Sequence, residues 1–512
     1  MADDVKPRPR IKTLSIRDFR AFPGPDAVDI ELGGKHLFIF GENGSGKSTL
    51  FHALDGLFYI YDTADEAREE LETHANRFTP DGHKGQPEVS IMFDDDQPPA
   101  VWSMSGHPAD TSGGGADARV VNAAWARAIF DYRSLLRTNY DHGDDEVNLF
   151  DLCVDTLLDD YVTIDGRKLG EIWADLQDML DRGQIRDVQK QEINQLSRAF
   201  NDGLAEALKA TLPLINKYLD KLGQKEVRVE SIDAKRIAYN NAGLKDERDY
   251  NDCEVLPRIS YRGENVQYPQ LFLNEARLSA LALAMFLAAR KLSETQTQND
   301  MPRILVMDDV LIGLDQSNRV PLIDVLCEDF QDWQFVILTH DRNWFDIARR
   351  YIRQGHADKY WTFQEIHARQ DHTVLPVVTR VGTSAAVQAL STARSFLADG
   401  YVYAAGNAAR LATEFALREF CDEKGIKVLY TLPPRHTAAS KFLEAIKAWD
   451  GTDRYKPATD SIETYTSILM NPLSHGGTAQ VHSTEILAAI EVVDKLLLAM
   501  KLRAQRDTDE TG

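Results

Sequence analysis

The sequence predicts an α/β fold with a short helical insertion, followed by an all-α C-terminal domain. Two apolar runs, His36–Phe40 and Ile304–Met307, are typical of buried parallel strands, and the first leads through a glycine-rich turn into a helix-like segment. Two other stretches, at about residues 143–222 and 387–504, carry apolar residues at helical spacing. The sheet is therefore predicted from two separate parts of the chain, one on each side of the insertion.

The chain has 512 residues, more than one ordinary hydrophobic core holds, and we expect several domains. Residues 1–142 are predicted to form the first part of the α/β head, and residues 143–224 the helical insertion. Residues 225–382 would form the second part of the head, and residues 383–512 an all-helical interaction domain. The turn-like sequence near residues 382–386 marks the last boundary.

Local sequence patterns predict the individual strands and helices of these domains. Between residues 86 and 122 three short runs, PEVSIMF, PAVWSM and ARVVNA, are predicted as strands. Strands are also predicted between residues 225 and 262, and a strongly apolar helix at residues 271–292. The helical insertion has one apolar face, formed by Ile193, Leu196, Phe200, Leu204 and Leu208.

Composition and charge exclude some classes of protein. The net charge is −22, from 58 basic and 80 acidic residues, which argues against a large, uniformly basic nucleic-acid surface. A local basic groove for DNA stays open, because net charge says little about one face. No apolar run is long enough to cross a membrane, and the four cysteines fit no metal or redox spacing, so we expect a cytoplasmic protein without a membrane partner.

The glycine-rich turn after His36–Phe40 reads GENGSGKST and spans Gly41–Thr49. Glycines allow backbone N–H groups to curl around a phosphate, and the start of the following helix favours negative charge. We expect Lys47 to reach the β- and γ-phosphates of ATP, and the Ser48 hydroxyl to bind Mg²⁺. The predicted nucleotide-binding residues of this loop are Gly41, Asn43, Gly44, Gly46, Lys47, Ser48 and Thr49.

Two acidic residues and a histidine follow the other buried strands. Asp308 comes directly after Ile304–Met307 and is predicted to hold Mg²⁺, mostly through water. Asp309 is predicted to orient or deprotonate the attacking water; the alternative is that it only completes the hydrogen-bond network around Mg²⁺. His340, at the end of the strand-like run 334–338, is predicted to contact the γ-phosphate.

These motifs together carry a family resemblance. The opening LSIRDFRAF, the GENGSGKST loop, ILVMDDVLIGLD and ILTHD resemble ABC-type ATPases of the SMC, Rad50 and RecF group. The resemblance implies an ABC-type P-loop head that hydrolyses ATP with Mg²⁺ as a head-to-head homodimer. It also implies that Gly313–Asp315 lies in a loop that communicates across the dimer, and that Arg17 or Arg20 approaches the nucleotide, although a surface role for either arginine is an equal alternative.

The segment in the family's signature position reads LNEARLSALALA, from Leu273 onward. In this resemblance Asn274 replaces the serine that donates to the γ-phosphate of the second subunit's ATP, while Glu275 and Ala276 replace a glycine pair. The negative charge of Glu275 is unfavourable there unless it points away or pairs with Arg277. The glutamine of the family's Q-loop is absent from Phe130–Tyr140, where Tyr132 or Arg133 could stand, or where an ordinary helix could begin.

The signature and the helical C-terminal extension resemble, within this group, the ATPase subunit of Septu-type anti-phage systems, which works with an HNH nuclease partner. This resemblance predicts an ATPase that controls a partner effector, a nuclease, in phage defence. One alternative is a stand-alone RecF-like DNA repair ATPase. The other is an ATPase-gated, HEPN-like ribonuclease toxin using Asn471 and His475, although Met470 stands where that family requires an arginine.

Overall fold

The protein is described by a computed structural model. It divides into two compact units, residues 1–380 and residues 381–512, which are treated separately below. The residues that the structure describes are 8–61, 63–82, 84–110, 115–125, 128–131, 148–181, 187–240, 247–296, 301–310, 314, 316–355, 357–381, 384–428, 439–449, 460–462, 464 and 482–499.

A six-stranded sheet forms the centre of the first unit, in the order β15-β14-β3-β13-β12-β6. All neighbours are parallel except β15, which is antiparallel to β14. Every residue of β3, β12 and β13 is buried, as expected for parallel strands covered on both faces. The strands are β3 (His36–Gly41), β6 (Ala128–Asp131), β12 (Ile304–Asp308), β13 (Gln334–Thr339), β14 (Trp361–His367) and β15 (Val377–Arg380).

A second, antiparallel sheet has the order β2-β1-β4-β5. Helix α1 lies between the two sheets, because Leu50 and Leu54 share one buried cluster with Ile16 of the antiparallel sheet and Val336 of the parallel sheet. This packing fixes the start of α1 relative to the ends of the parallel strands. The elements are β1 (Ile11–Arg17), β2 (Val28–Glu31), β4 (Glu88–Phe93), β5 (Ala100–Ser103), α1 (Lys47–Leu57), α2 (Ala64–Thr73) and α3 (Ala118–Trp125).

The run ARVVNA, predicted as a strand, is part of helix α3, so that prediction was wrong. Asp117 precedes the helix, and its carboxylate accepts a hydrogen bond from the Arg119 N–H at 2.9 Å. Val120, Ala123 and Ala124 are buried, at the three- and four-residue spacing of a helix face. The adjacent valines suggested a strand, but the acidic cap and the alanines favour the helix.

The segment between β6 and β12 forms helices first and then antiparallel strands. Of its predicted apolar face, Ile193, Phe200, Leu204 and Leu208 are buried, whereas Leu196 is half-buried. The helices are α4 (Phe150–Leu152, continued by a π-helical turn, Cys153–Leu157), α5 (Leu169–Asp181) and α6 (Asp187–Lys221). The strands that follow are β7 (Val227–Ala234), β8 (Ala238–Asn240), β9 (Asp249–Asn251), β10 (Val255–Tyr261) and β11 (Glu264–Val266).

Four helices complete the first unit: α7 (Pro269–Phe272), α8 (Glu275–Glu294), α9 (Gln316–Asp329) and α10 (Arg342–Gln354), with a short 3-10 turn at Asp358–Tyr360. Helix α8 is buried along nearly its whole length. Helices α9 and α10 follow β12 and β13, so each begins at the edge of the sheet where those strands end. Within the described residues, no helix is both long enough and apolar enough to span a bilayer.

In the described part of the second unit, all regular secondary structure is helical. Its helices are α11 (Ala385–Ala398), α12 (Val402–Glu423), α13 (Ala439–Ala448) and α14 (Ser483–Ala499). They share a separate core that includes Leu390, Phe420, Ile446 and Ile490. The predicted α/β class with a helical C-terminal region is therefore confirmed. Met470, Asn471 and His475, which the ribonuclease alternative requires, lie outside the described residues.

Candidate nucleotide-binding site

The glycine-rich loop joins β3 to α1 in a conformation that needs its glycines. Gly44 and Gly46 have φ angles of 82° and 109°, in the left-handed region that other residues rarely adopt. A Cβ atom on Gly46 would lie 2.5 Å from Cε1 of Phe22, and one on Gly41 would lie 2.5 Å from Cγ2 of Ile366. The loop is thus packed against the body of the protein, and α1 begins directly after it, at Lys47.

Lys47, the first residue of α1, extends back into this loop. Its Nζ donates hydrogen bonds to the carbonyl oxygens of Gly41 at 2.7 Å and Glu42 at 3.1 Å. Burial lowers the pKa of Lys47, while the carboxylates of Asp309 and Asp308 act in the opposite direction. The ammonium is therefore held between the loop carbonyls and two acidic residues, where an incoming phosphate would meet it.

The remaining loop residues divide into two groups. Asn43, Gly44 and Ser48 are exposed at the surface of the loop. Thr49 is buried, and its hydroxyl accepts a hydrogen bond from the Ala21 N–H at 3.3 Å. Thr49 therefore ties the segment after β1 to the loop, a structural contact in addition to its predicted role in nucleotide binding.

Asp308, the last residue of β12, lies beside the loop. Its Oδ2 accepts a hydrogen bond from the Ser48 hydroxyl at 3.4 Å, whereas its buried Oδ1 has no hydrogen-bond partner among the described residues. Burial, together with the nearby carboxylates of Asp309 and Asp131, raises the pKa of Asp308 to about 7, although Lys47 and Ser48 oppose the shift. A buried carboxylate oxygen without a donor is a position that a bound cation would satisfy.

Ser48 and Asp308 fit Mg²⁺ by the chemistry of their donors. Magnesium prefers oxygen ligands and usually combines one or two carboxylates with substrate phosphates and water. The described residues contain no group of three or more His, Cys, Asp and Glu side chains that could hold a metal ion. A magnesium ion at Ser48 and Asp308 would therefore depend on nucleotide phosphates and water for its remaining ligands.

Asp309 and His340 form a second pair at the same edge. Asp309 has a φ of 53°, and its N–H donates to the carbonyl of Leu338 at 3.1 Å. Its Oδ1 accepts a hydrogen bond from the His340 N–H at 2.9 Å and lies 2.9 Å from His340 Nδ1. Both residues line a cavity of about 170 Å³, large enough for several water molecules. The pair can therefore orient a water molecule in this cavity.

Comparison with known proteins gives one family match. Residues 13–252 match the family model of an AAA domain. The match covers less than half of the chain and includes the glycine-rich loop. Together with the mixed α/β fold, it supports an ATP-binding ATPase. The comparison with curated proteins gave no match.

Solved SMC head domains are also similar to this chain. They include an Smc head bound to the C-winged helix domain of ScpA (14% identity, 73% of this chain and 99% of that chain, TM-score 0.39). A second, derived from Pyrococcus furiosus, is an Smc head with an extended coiled coil bound to the C-terminal domain of ScpA (15%, 75% and 100%, 0.39). The third is from Thermotoga maritima (14%, 73% and 100%, 0.32). At these TM-scores the likenesses carry no further conclusion.

One acidic residue of the site was missed in the sequence. Asp131 ends β6 directly opposite Asp308 in the strand register. The available signal was the pattern of the other site strands, a short apolar run, Ala128–Phe130, followed by an acidic residue. The neighbouring Q-loop candidates Tyr132 and Arg133, and Gly313 and Asp315 of the predicted inter-subunit loop, lie outside the described residues.

Asn274 is the predicted site residue that stands apart from the others. It is exposed and caps α8, its side chain accepting a hydrogen bond from the Arg277 N–H at 3.1 Å. Arg277 pairs with Glu226 at 3.3 Å, and Glu275, which lies in the first turn of α8, is exposed. Among the described residues, the hydrogen bonds of Asn274 are those with the first turn of α8.

The two arginines proposed to approach the nucleotide have other partners. Arg17 forms an ion pair with Glu88 at 2.9 Å, across the antiparallel strands β1 and β4. Arg20 is exposed, with Nη1 3.1 Å from Nδ1 of His74. Both contacts favour the surface alternative for these two side chains.

Proposed function

We propose that this chain is a Mg²⁺-dependent ATPase that dimerises when it binds ATP and thereby controls a separate effector protein. One observation supports the proposed ATPase activity. Lys47, Ser48, Asp308, Asp309 and His340 come from three separate parts of the sequence and meet where β3, β12 and β13 end. Catalytic and ligand-binding residues of open α/β sheets occupy this edge.

The chemistry that this arrangement supports is phosphoryl transfer to water. Lys47 would exchange the carbonyls of Gly41 and Glu42 for the β- and γ-phosphates. Ser48 and Asp308 would hold Mg²⁺, which neutralises phosphate charge when bound. Asp309 would accept or direct the proton of the attacking water, and the His340 imidazole would contact the γ-phosphate.

The exposed start of α8 supports the proposed dimerisation. Asn274 caps the helix with its side-chain oxygen, which leaves the amide N–H₂ able to donate to a phosphate of a second copy. Leu271 and Phe272 precede it and are 63% and 60% exposed, so two adjacent large apolar side chains face solvent beside Asn274. A second chain that supplies ATP to Asn274 would cover them.

The effector part rests on the Septu-type resemblance and on the separate helical unit. Residues 381–512 have a core of their own, as a module that binds another protein would require. We propose that the effector is a nuclease of the HNH type, and that the biological setting is defence against phage.

The experiment is to purify the chain together with the products of its neighbouring genes and to measure the mass of the complex with and without ATP and Mg²⁺. Asp309→Ala would slow hydrolysis and trap the nucleotide-bound state, and Lys47→Ala serves as the control that does not bind ATP. A stable complex with a nuclease supports the effector proposal. An ATP-dependent dimer without any neighbour would contradict it, while leaving the ATPase and dimer proposals in place.

A further inference from the structure

Arg319, in helix α9, joins two segments that border the site. It is only 9% exposed. Its Nε donates a hydrogen bond to the carbonyl oxygen of Leu314 at 2.8 Å, and its Nη1 donates to Oδ2 of Asp341 at 2.5 Å. Leu314 follows the Asp308–Asp309 strand end, and Asp341 directly follows His340. One buried guanidinium therefore connects the segment that follows Asp309 with the residue that follows His340.

Asp341 transmits this contact to the turn that carries His340. Its Oδ1 accepts a hydrogen bond from the Trp344 N–H at 3.0 Å and so caps α10, and its own N–H donates to the Thr339 hydroxyl at 3.1 Å. Burial alone would raise the pKa of Asp341, but the hydrogen bonds from Arg319 and the Trp344 N–H hold it below its usual value. Two donors thus fix the charged carboxylate, and a third hydrogen bond fixes the backbone of Asp341.

The last contact in the series links the backbone of His340 to the Asp309 carboxylate. The His340 N–H donates to Oδ1 of Asp309, so a shift of the turn at residues 339–341 would change the geometry between these two side chains. Arg319, Asp341, His340 and Asp309 all line the 170 Å³ cavity described above. Arg319 holds the His340 turn through Asp341, and it holds the segment after Asp309 through the carbonyl oxygen of Leu314.

We infer that Arg319 is a positioning residue for ATP hydrolysis: it fixes the turn that carries His340 relative to the segment that follows Asp309. This inference rests on the proposed ATPase function. Arginine suits the role because its planar fork donates to two acceptors at once, whereas the single ammonium of lysine is a compact point charge. Asparagine cannot replace Asp341, since its amide can satisfy either Arg319 or the Trp344 N–H but not both.

The test measures kcat and KM for ATP in Arg319→Ala, Arg319→Lys, Asp341→Asn and the Arg319→Ala/Asp341→Asn double variant. We expect kcat to fall about 10- to 100-fold in Arg319→Ala and Asp341→Asn, with KM within about twofold, because the glycine loop is untouched. The double variant should be no slower than the slower single variant, and Arg319→Lys should recover part of the rate.

Tyr351→Phe is the matched control. The Tyr351 hydroxyl donates to Asp324 at 2.8 Å and ties the same two helices, α9 and α10, away from the site. Loss of the Tyr351 hydroxyl should leave kcat within about twofold of wild type, even if it lowers the melting temperature as much as Arg319→Ala lowers it. An equal loss of kcat in Tyr351→Phe, or additive losses in the double variant, would overturn the inference, because either result indicates general loosening.

A second measurement separates this inference from the proposed function. If the wild-type chain hydrolyses ATP no faster than Lys47→Ala, the proposed function fails. Amide hydrogen exchange in residues 339–345 then still tests Arg319 without nucleotide. Faster exchange there in Arg319→Ala than in Tyr351→Phe supports the positioning role, and equal exchange in the two variants overturns it.

Discussion

The hydroxyl of Ser48 lies 3.4 Å from Oδ2 of Asp308, although 260 positions separate the two residues in the chain. Strands β3 and β12 are not neighbours; β13 lies between them and pairs with both. The hydroxyl and the carboxylate meet because helix α1, which begins beside Ser48, packs against both β3 and β12. The two parts of the sequence that the helical insertion separates therefore complete a single site.

The substitution Asp308→Asn should abolish Mg²⁺-dependent hydrolysis while making the nucleotide-free protein more stable. Folding raises the pKa of Asp308 to about 7, so the native state binds a proton that the unfolded chain releases above its usual carboxyl pKa. The loss of stability from ionising this carboxylate develops between its usual pKa and about pH 7 and is complete above pH 7, and asparagine removes that cost. We expect a gain of roughly 1–3 kcal/mol at about pH 8 without Mg²⁺, measured by urea unfolding. A less stable variant would contradict this account of the site.

Gly46→Ala should destabilise the protein more than Gly44→Ala. Both glycines have positive φ, so an alanine at either position strains the backbone by about 1 kcal/mol. Only at Gly46 would the new Cβ also overlap Phe22, whereas no described atom lies within 4 Å of a Cβ at Gly44. We expect the difference in unfolding free energy to be roughly 1–3 kcal/mol. Equal stability of the two variants in urea unfolding would show that the Phe22 contact is unimportant.

Local sequence pattern predicted the parts of the fold whose signals are local. The apolar runs before Gly41, Asp308 and Thr339 read as buried strands, and the glycine loop read as a phosphate site. ARVVNA was predicted wrongly, since adjacent valines suit a strand and the deciding cap, Asp117, is a separate signal. Whether such a segment forms a helix or a strand depends on its packing, which periodicity alone does not give.

The contacts that the sequence did not predict are long-range. Asp131 meets Asp308 only through the pairing of β6 with β12, and no local pattern gives the order of strands in a sheet. Arg319 likewise reads as one charged residue of a helix until the fold brings Asp341 beside it. The roles predicted for the site residues stay predictions, which the variants described here can test.

Asn274→Asp should separate the cap of α8 from the proposed contact with a second copy. Aspartate keeps the oxygen that accepts from the Arg277 N–H, and its charge suits a helix N-terminus, so the melting temperature should not fall. It replaces the outer amide donor with a negative charge, which would repel the phosphates of a second subunit's ATP.

In an Asp309→Asn background that traps ATP, light scattering should show a dimer when Asn274 is retained and a monomer when the Asn274→Asp change is added. Asn274→Ser, which keeps the cap and a hydroxyl donor, is the control and should still dimerise. Dimerisation that is equally strong with Asn274→Asp would contradict a role of this residue in the interface.

His36 should make stability depend on pH below neutrality. Burial, and then the charge of Arg10, lowers the pKa of His36 to about 3, and its Nδ1 accepts the Phe335 N–H at 3.1 Å. The unfolded chain therefore takes up a proton before the native state does as pH falls. The stabilisation is complete above pH 6.5, the usual value, and is lost progressively toward pH 3.

Comparison of wild type with His36→Asn isolates this effect, because the asparagine oxygen can still accept from the Phe335 N–H. The difference in unfolding free energy should change by roughly 1 kcal/mol per pH unit below about pH 6. The exposed His372 provides the control, and His372→Asn should leave the slope unchanged. Parallel pH profiles for wild type and His36→Asn would contradict the assignment of a neutral, buried imidazole.

The central claim, that the residues gathered at the ends of β3, β12 and β13 hydrolyse ATP, is tested most directly by steady-state ATP hydrolysis with Mg²⁺ and parallel ATP-binding measurements. The account predicts that the wild type hydrolyses ATP, that Lys47→Ala neither binds nor hydrolyses it, and that Asp309→Asn binds it while losing at least about 100-fold in rate. Hydrolysis by Lys47→Ala at the wild-type rate, or wild-type activity in Asp309→Asn, would contradict it.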